Sequence, residues 1–445
     1  MNKLISKYYP QFLLLILAFA FFTRFYRLHI PEKYIFDEVY HAVTAKLIAN
    51  NDPRAYEWSN PPPEPNTAVD WLHPPLAKYT QALSMIMLSQ NSFGWRFSSA
   101  VFGVLAIFLT ARLSFNLFKN NTISLLAALV ASLDGLLLTM SRIAMNDIHV
   151  TVFILMTLNF YTIYLNSKRK ERKYFELAGM SAGLAIGTKW SGLFVIMILG
   201  LFELVNLLKI FFHKINKKAL LNKLKFFIYE SFRVFLILIA MPAMIYVLSY
   251  SHMFLQGKDL NHLYEMHKNT WWYQTTLDAT HPAQSRPIEW FLNTKPVWFD
   301  VVWKNNSRAD IYAVGNPMIF WVGDIFVIMT FIYLIYKRIK YPKKIQTNLF
   351  LLFFAYFAVW LPWQLSPRIM FFYHYLPAVP LLCIITAFWL YKLFESNNKL
   401  KFLAILILVL FFITFVVWYP HWTGIFVSDE IKNKLYFAID SWKQK

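Results

Sequence analysis

A chain of 445 residues, 58% of them hydrophobic and with a formal charge of +20, is long enough for two or three soluble domains. Its apolar residues instead gather into runs of about 17–25 residues, the length that crosses a bilayer. The basic excess does not mark a nucleic-acid binder, because Lys and Arg cluster in every second connection between those runs, as cytoplasmic loops do.

The first run covers 11–28, behind Lys3 and Lys7. It contains Ala18-Phe19-Ala20, which has the look of a cleavage site, but the apolar stretch continues to Phe25 and an uncleaved helix is expected. Further spans are expected at 97–116, 123–140, 148–165, 174–190, 191–210, 226–249, 317–336, 347–363, 370–391 and 401–419. The chain therefore reads as one integral-membrane domain over 1–445, an all-α polytopic membrane protein with about eleven transmembrane helices. The single cysteine, Cys383, lies within a span, so no internal disulfide is possible.

Orientation follows from the cations. Lys168, Arg169, Lys170, Arg172 and Lys173 form one cluster, and Lys209, Lys214, Lys217, Lys218, Lys223 and Lys225 a second. Lys337, Arg338, Lys340, Lys343 and Lys344 form a third. With all three inside, the amino terminus is cytoplasmic and the carboxyl terminus outside. The apolar segment Leu76 to Gln90 would invert every later loop if it crossed the membrane, so an interfacial helix is expected there.

Two long outer loops result, 29–96 and 250–316. Long ordered loops of unusual composition carry function. The first holds the Pro-rich stretch 60–65 and most of the outward acids; the second is dense in Trp, His and Tyr, suited to membrane anchoring or to stacking on sugars.

Within the first loop, Asp37-Glu38 sits in an apolar, aromatic setting, and Asp70 precedes His73-Pro74-Pro75-Leu76-Ala77-Lys78. Outer span ends carry Arg96, Arg142 with Asp147, Lys189, and Arg368 with His374. Taken singly, these are a helix-start acid pair, a Pro-initiated helix and snorkelling anchors. Their convergence on one side of the membrane points to an anionic ligand at the outer surface. A transporter would instead place ionisable groups near span midpoints or break helices at matched positions.

The ordered set resembles the protein O-mannosyltransferase family, of GT-C architecture, in its prokaryotic form. It comprises Phe36-Asp37-Glu38-Val39, His73 to Lys78, Trp95-Arg96-Phe97-Ser98, Ser141-Arg142 through Asp147, and Gly183 to Leu193. It continues with His281-Pro282-Ala283-Gln284-Ser285, Gly315-Asn316-Pro317 and Phe372-Tyr373-His374-Tyr375-Leu376-Pro377-Ala378. Two departures stand out. The second outer loop lacks room for the large sugar-binding-like module of eukaryotic members, and Asp70 stands three residues before His73 where the family usually has two.

The resemblance implies a polyprenyl-phosphate-mannose donor, Ser or Thr acceptors on exported proteins, and inversion at the sugar carbon. Engagement of the acceptor during translocation is one option. It further implies Asp37 as general base with Glu38 orienting the loop or acceptor, and Arg96, Arg142, Lys189 and Arg368 as cations for the leaving phosphate. Asp147 and His374 belong to the donor-binding set; Asp70, His73, Lys78 and His281 support it. No cofactor or metal is expected, since no His/Asp spacing of metal-ligand type is visible, though a divalent cation stays open. The implied location is the bacterial cell membrane, among membrane lipids. Alternatives are a related lipid-linked sugar transferase acting on a glycan or lipid A, and a transporter.

Overall fold

The computed structural model describes residues 2–167, 171–212, 220–342 and 346–443. Lys168, Arg169, Lys170, Lys214, Lys217, Lys218, Lys343 and Lys344 lie outside the described residues. Among those described, eight helices are long and apolar enough to cross a membrane. They are Ser92–Phe118, Asp147–Asn166, Trp190–Phe212, Leu220–Leu248, Pro317–Lys340, Thr347–Leu365, Phe372–Phe394 and Asn398–Thr423. Shorter helices at Tyr9–Phe25, Asn121–Ser132 and Arg172–Ile186 fall where the remaining spans are expected.

The span expected over 123–140 is not one continuous helix. It stops at Ser132 and restarts as Gly135–Met140, because Asp134 takes extended backbone and caps the second piece, accepting from Leu137 N at 2.8 Å. Leu220–Leu248 passes through a π turn at Leu236–Ala240 just before Pro242, whose missing N–H and ring disturb the regular bonding of the preceding turn.

The helices differ in how deeply they sit. Phe372–Phe394 and Asp147–Asn166 are central and mostly buried, while Trp190–Phe212 and Leu220–Leu248 lie at the periphery with most of their apolar surface exposed. One apolar core runs from Leu13 to Trp442. A second, smaller one unites the two long connections, with Ala42, Tyr56 and Met85 packed together with Met253 and Met266. The helix expected from Leu76 is present as Leu76–Leu88, 13 residues, or about 20 Å, too short to cross about 30 Å of hydrocarbon.

A small antiparallel sheet joins the otherwise helical architecture. β1 (Val297–Lys304) pairs with β2 (Ser307–Ala313) in the register Val297↔Ala313 to Lys304↔Ser307, and β3 (Val427–Ser428) adds to the edge of β2. The two-residue turn Asn305-Asn306 suits Asn305's positive φ of 52°. Val297 and Phe299 face the core while Trp298 is exposed, the alternation of a half-buried strand.

Candidate active site

Asp37 stands at the head of the helix Glu38–Ala49, where the backbone N–H of His41 closes the first turn on the Asp37 carbonyl at 3.0 Å. The residue before it, Phe36, has φ of +47°, a left-handed conformation costly for a bulky side chain. Stacking of its ring on Phe299, 4.5 Å between centroids, helps hold the turn.

Adjacent acids then diverge. Glu38 is fully buried and accepts from Arg96 Nε and Nη2, each at 2.8 Å, from Ala144 N at 3.0 Å and from Ile35 N at 3.1 Å. Asp37 instead opens onto a cavity of about 350 Å³ that also takes in His73, Asp147, Lys189, Arg368 and His374. Lys189 Nζ lies 2.7 Å from Asp147 Oδ1 and 5.8 Å from the ring centre of Tyr373. The Tyr373 hydroxyl donates to Asp37 Oδ2 at 3.4 Å. Arg368 donates to Gln274, which joins the cavity wall to the helix Leu260–Thr276. His374 Nδ1 is 2.9 Å from the Phe371 carbonyl, and its ring packs on Trp363.

Burial pushes the Asp37 carboxyl above its ordinary value. His41 and Lys189 pull it down while Asp147 and Asp70 push it up, and the upward shift prevails. The arrangement supplies a carboxylate of strengthened basicity in the same cavity as two cations.

Behind the cavity wall, Asp70 is held from three directions. His73 Nδ1 lies 2.9 Å from Oδ1, and His41 Nδ1 and Lys78 Nζ lie 2.7 and 2.9 Å from Oδ2. Lys78 also donates to the carbonyls of Asp70 and His73 at 2.8 and 2.9 Å. Burial raises the Asp70 carboxyl, but His73, Lys78 and His41 outweigh it and hold the group well below the carboxylate range. Burial lowers His73 to about 4 against the pull of Asp70, and lowers Lys78 against the same pull.

His41, Asp70 and His73 thus bring ligand-type atoms within 4.8 Å of one another, a convergence that sequence spacing does not display. The Lys78 ammonium lies 2.9 Å from the shared carboxylate oxygen and donates to two carbonyls, so the set has a positive charge of the chain's own beside it.

Arg96 and Arg142, expected on the donor phosphate, do not line this cavity, and neither do Glu38, expected to orient the loop or acceptor, and His281, expected in support. Arg96 is buried, and every guanidinium nitrogen is engaged: Nε and Nη2 on Glu38, Nη2 also on the Lys33 carbonyl, and Nη1 on the Leu28 and Pro31 carbonyls. Arg142 caps the carboxyl end of the first apolar helix, donating to the carbonyls of Thr23, Arg24, Tyr26 and Arg27 at 2.7–3.3 Å. Glu38 is sealed against Arg96, away from the cavity. His281 is exposed, its Nδ1 accepting from Ala283 N at 3.0 Å and its ring set edge-on to Phe371.

Residues 14–255 match the family described as dolichyl-phosphate-mannose-protein mannosyltransferase, and residues 259–442 match the C-terminal four-transmembrane region of protein O-mannosyltransferases. The chain belongs to the protein O-mannosyltransferase family. A curated relative, the polyprenol-phosphate-mannose–protein mannosyltransferase of Mycolicibacterium smegmatis, is 23% identical over 96% of this chain and 92% of its own. That of Mycobacterium tuberculosis is 22% identical over 92% and 86%.

The fold is shared with the S. cerevisiae protein O-mannosyltransferase Pmt1-Pmt2 complex bound to the sugar donor. That likeness has a TM-score of 0.78 at 14% identity and covers 96% of this chain and 91% of the other. ArnT from Cupriavidus metallidurans bound to undecaprenyl phosphate follows at 0.59 and 12%, covering 90% and 62%. The architecture is that of GT-C enzymes.

Tyr373 and His41 line the cavity of this O-mannosyltransferase family member outside the set of residues expected from sequence. Tyr373 lies inside the motif Phe372 to Ala378, where sequence alone gives it no more weight than the aromatic residues around it. His41 had a usable signal, since four residues after Asp37 on a helix start is the same face.

Proposed function

We propose that this protein moves mannose from polyprenyl-phosphate-mannose to Ser or Thr hydroxyls of exported proteins, with inversion at the sugar carbon. The observation that carries the reading is the sharing of one cavity by Asp37, Lys189 and Arg368. Asp37 takes the acceptor hydroxyl's proton as oxygen attacks the sugar carbon. The bond to phosphate breaks with its electron pair on the phosphate oxygen, where Lys189 and Arg368 meet the developing charge. Arg96 and Arg142 act on the scaffold, consistent with their saturated hydrogen bonding.

The lipid tail leaves along the Trp190–Phe212 helix, whose Leu193 and Phe194 line the cavity while Leu193, Met197 and Leu201 are exposed toward lipid. We place the cavity at the outer face of a bacterial cell membrane, with about eleven spans and the amino terminus inside. Transfer proceeds without an added metal, Lys78 supplying the cation that Asp70 requires.

Purified protein supplied with polyprenyl-phosphate-mannose and a Ser/Thr peptide should add one hexose to the peptide, read by mass spectrometry, with undiminished rate in EDTA. Exported proteins should lose hexose when the gene is deleted. Transfer to a lipid or glycan but never to peptide would overturn the acceptor assignment. Loss of rate restored by a divalent cation would overturn the metal-free one.

A further inference from the structure

The helices Pro317–Lys340 and Thr347–Leu365 are neighbours, and two cavities open at the end of the pair remote from Asp37. The second helix carries Trp363 into the wall of the active-site cavity, so about 25 Å of helix separates that wall from Gln346. At the Gln346 end, an apolar groove of about 450 Å³ is walled by Phe331, Ile335, Phe350 and Phe353. Phe331 and Phe353 stack with ring centres 6.0 Å apart and close the deep end of the groove. Lys337, Arg338 and Gln346 line it where the helices end. A polar cavity of about 430 Å³ takes in Asn166, Tyr333, Asn348 and Lys392, and it shares Gln346 with the groove.

The charge at this junction is of one sign. No Asp or Glu lines either cavity among the described residues, and the sequence has none between Asp324 and Glu395. Lys337 is half-buried, its ammonium 5.2 and 5.1 Å from the ring centres of Tyr333 and Tyr341. Arg338 donates from one guanidinium nitrogen to the Pro342 carbonyl at 2.6 Å. Cations at a span end commonly snorkel into the headgroup layer, but snorkelling requires neither a groove nor a polar chamber. An apolar slot between helices, opening beside cations and a polar cavity, is complementary to an amphiphile with an anionic head.

We propose that this junction is a binding site for one anionic phospholipid from the leaflet opposite the active-site cavity. One acyl chain lies in the groove between the two helices, and the phosphate sits at Gln346 between Lys337, Arg338 and Lys392. The glycerol side of the head group reaches the Asn166 and Asn348 side chains in the polar cavity. This site is independent of the donor and acceptor assigned to the active-site cavity, and its test uses neither.

The experiment uses the full-length protein, delipidated in detergent and titrated with phosphatidylglycerol or phosphatidylcholine, with bound lipid counted by native mass spectrometry. Wild type should bind one phosphatidylglycerol at least about tenfold more tightly than phosphatidylcholine. Each neutralised cation should weaken phosphatidylglycerol about fivefold, so the double variant Lys337→Gln with Arg338→Gln should lose most of the preference. Ile335→Trp, which fills the groove from an exposed position, should weaken both lipids. Lys399→Gln with Lys401→Gln, exposed cations that line neither cavity, should leave the affinity within about twofold.

Equal affinity of wild type for the two lipids would overturn the proposal, and that comparison needs no variant. An equal loss in the Lys399 and Lys401 variant would reduce the effect to general surface charge and overturn it as well. Glycerol phosphate competing as strongly as the lipid would show an ion site without a tail groove. Dimers that exclude lipid, and that the Lys337 and Arg338 variant abolishes, would give the groove to a second copy of the chain instead.

Discussion

Arg96 and Glu38 meet through two parallel hydrogen bonds of 2.8 Å where neither residue has any solvent exposure. This pair ties the start of the Glu38–Ala49 helix to the Ser92–Phe118 helix and so fixes the height of Asp37 in the cavity. Arginine's planar fork is what makes the contact bidentate, and lysine cannot reproduce it. Breaking a buried pair by removing one partner costs about 3–5 kcal/mol. Arg96→Lys and Glu38→Gln should therefore lower the melting temperature and the yield of folded protein, measured by thermal unfolding in detergent. A donor KM raised by Arg96→Lys at unchanged melting temperature would show instead that Arg96 serves the phosphate.

Two cations that look alike in sequence should part company on mutation. Arg142 satisfies carbonyls at the end of the first apolar helix, and charged hydrogen bonds of this kind contribute about 1.5–3 kcal/mol each. Arg142→Ala should destabilise the fold, with little change in donor kinetics per folded molecule. Lys189→Gln should do the reverse, lowering turnover by about 10²–10³-fold, the usual loss when one group stabilising developing charge is removed. Melting curves and donor kinetics on both variants decide the matter. Equal donor kinetics for Lys189→Gln and wild type would take Lys189 out of the site.

His73 predicts a stability change with a definite sign. In the unfolded chain it titrates near its ordinary value of 6.5, whereas burial in the fold lowers it to about 4. A group whose folded pKa is depressed contributes its full stability above the unfolded value and loses it as pH falls toward the folded one. The protein should therefore become less stable between pH 6.5 and about 4, and His73→Gln should flatten that slope. Melting temperatures across this range provide the check. A slope identical in the variant would trace the loss to other groups.

The apolar spans and the short Leu76–Leu88 helix were legible because run length and cation placement constrain them strongly. Asp37-Glu38 was legible as a pair, and the family resemblance implied separate roles for the two, but the sequence did not show what holds Glu38. Adjacent residues at a helix start point in different directions, and only the fold reveals which one meets Arg96. Arg96, Arg142 and Lys189 look equivalent as cations at span ends. What separates them is whether nearby carbonyls and carboxylates saturate their donors, a property of packing that local pattern does not carry. The hairpin of β1 and β2 was hidden by its tryptophans, which suit a membrane-surface anchor equally well, although Val297-Trp298-Phe299 does alternate. The His41–Asp70–His73–Lys78 cluster joins a helix to a distant loop and so had no sequence spacing to display.

Asp37 carries the sharpest expectation. Its carboxyl is raised by burial and lies in the same cavity as Lys189, so it is a stronger base than an exposed carboxylate. Asp37→Asn keeps the size of the side chain and its contact with the Tyr373 hydroxyl but cannot accept a proton. General-base assistance contributes about 10²–10⁴-fold, so turnover should fall within that range while donor binding survives. The wild-type kcat/KM should fall on acidification along a limb that lies above the ordinary carboxylate value of 3.8, because the base must be ionised to act. Asp37→Asn should lose that limb together with the rate. Glu38→Gln, once corrected for the fraction that folds, should keep the limb, since Glu38 does not reach the cavity. Folded Asp37→Asn that transfers mannose at near wild-type rate, with the acidic limb intact, would place the base on another residue.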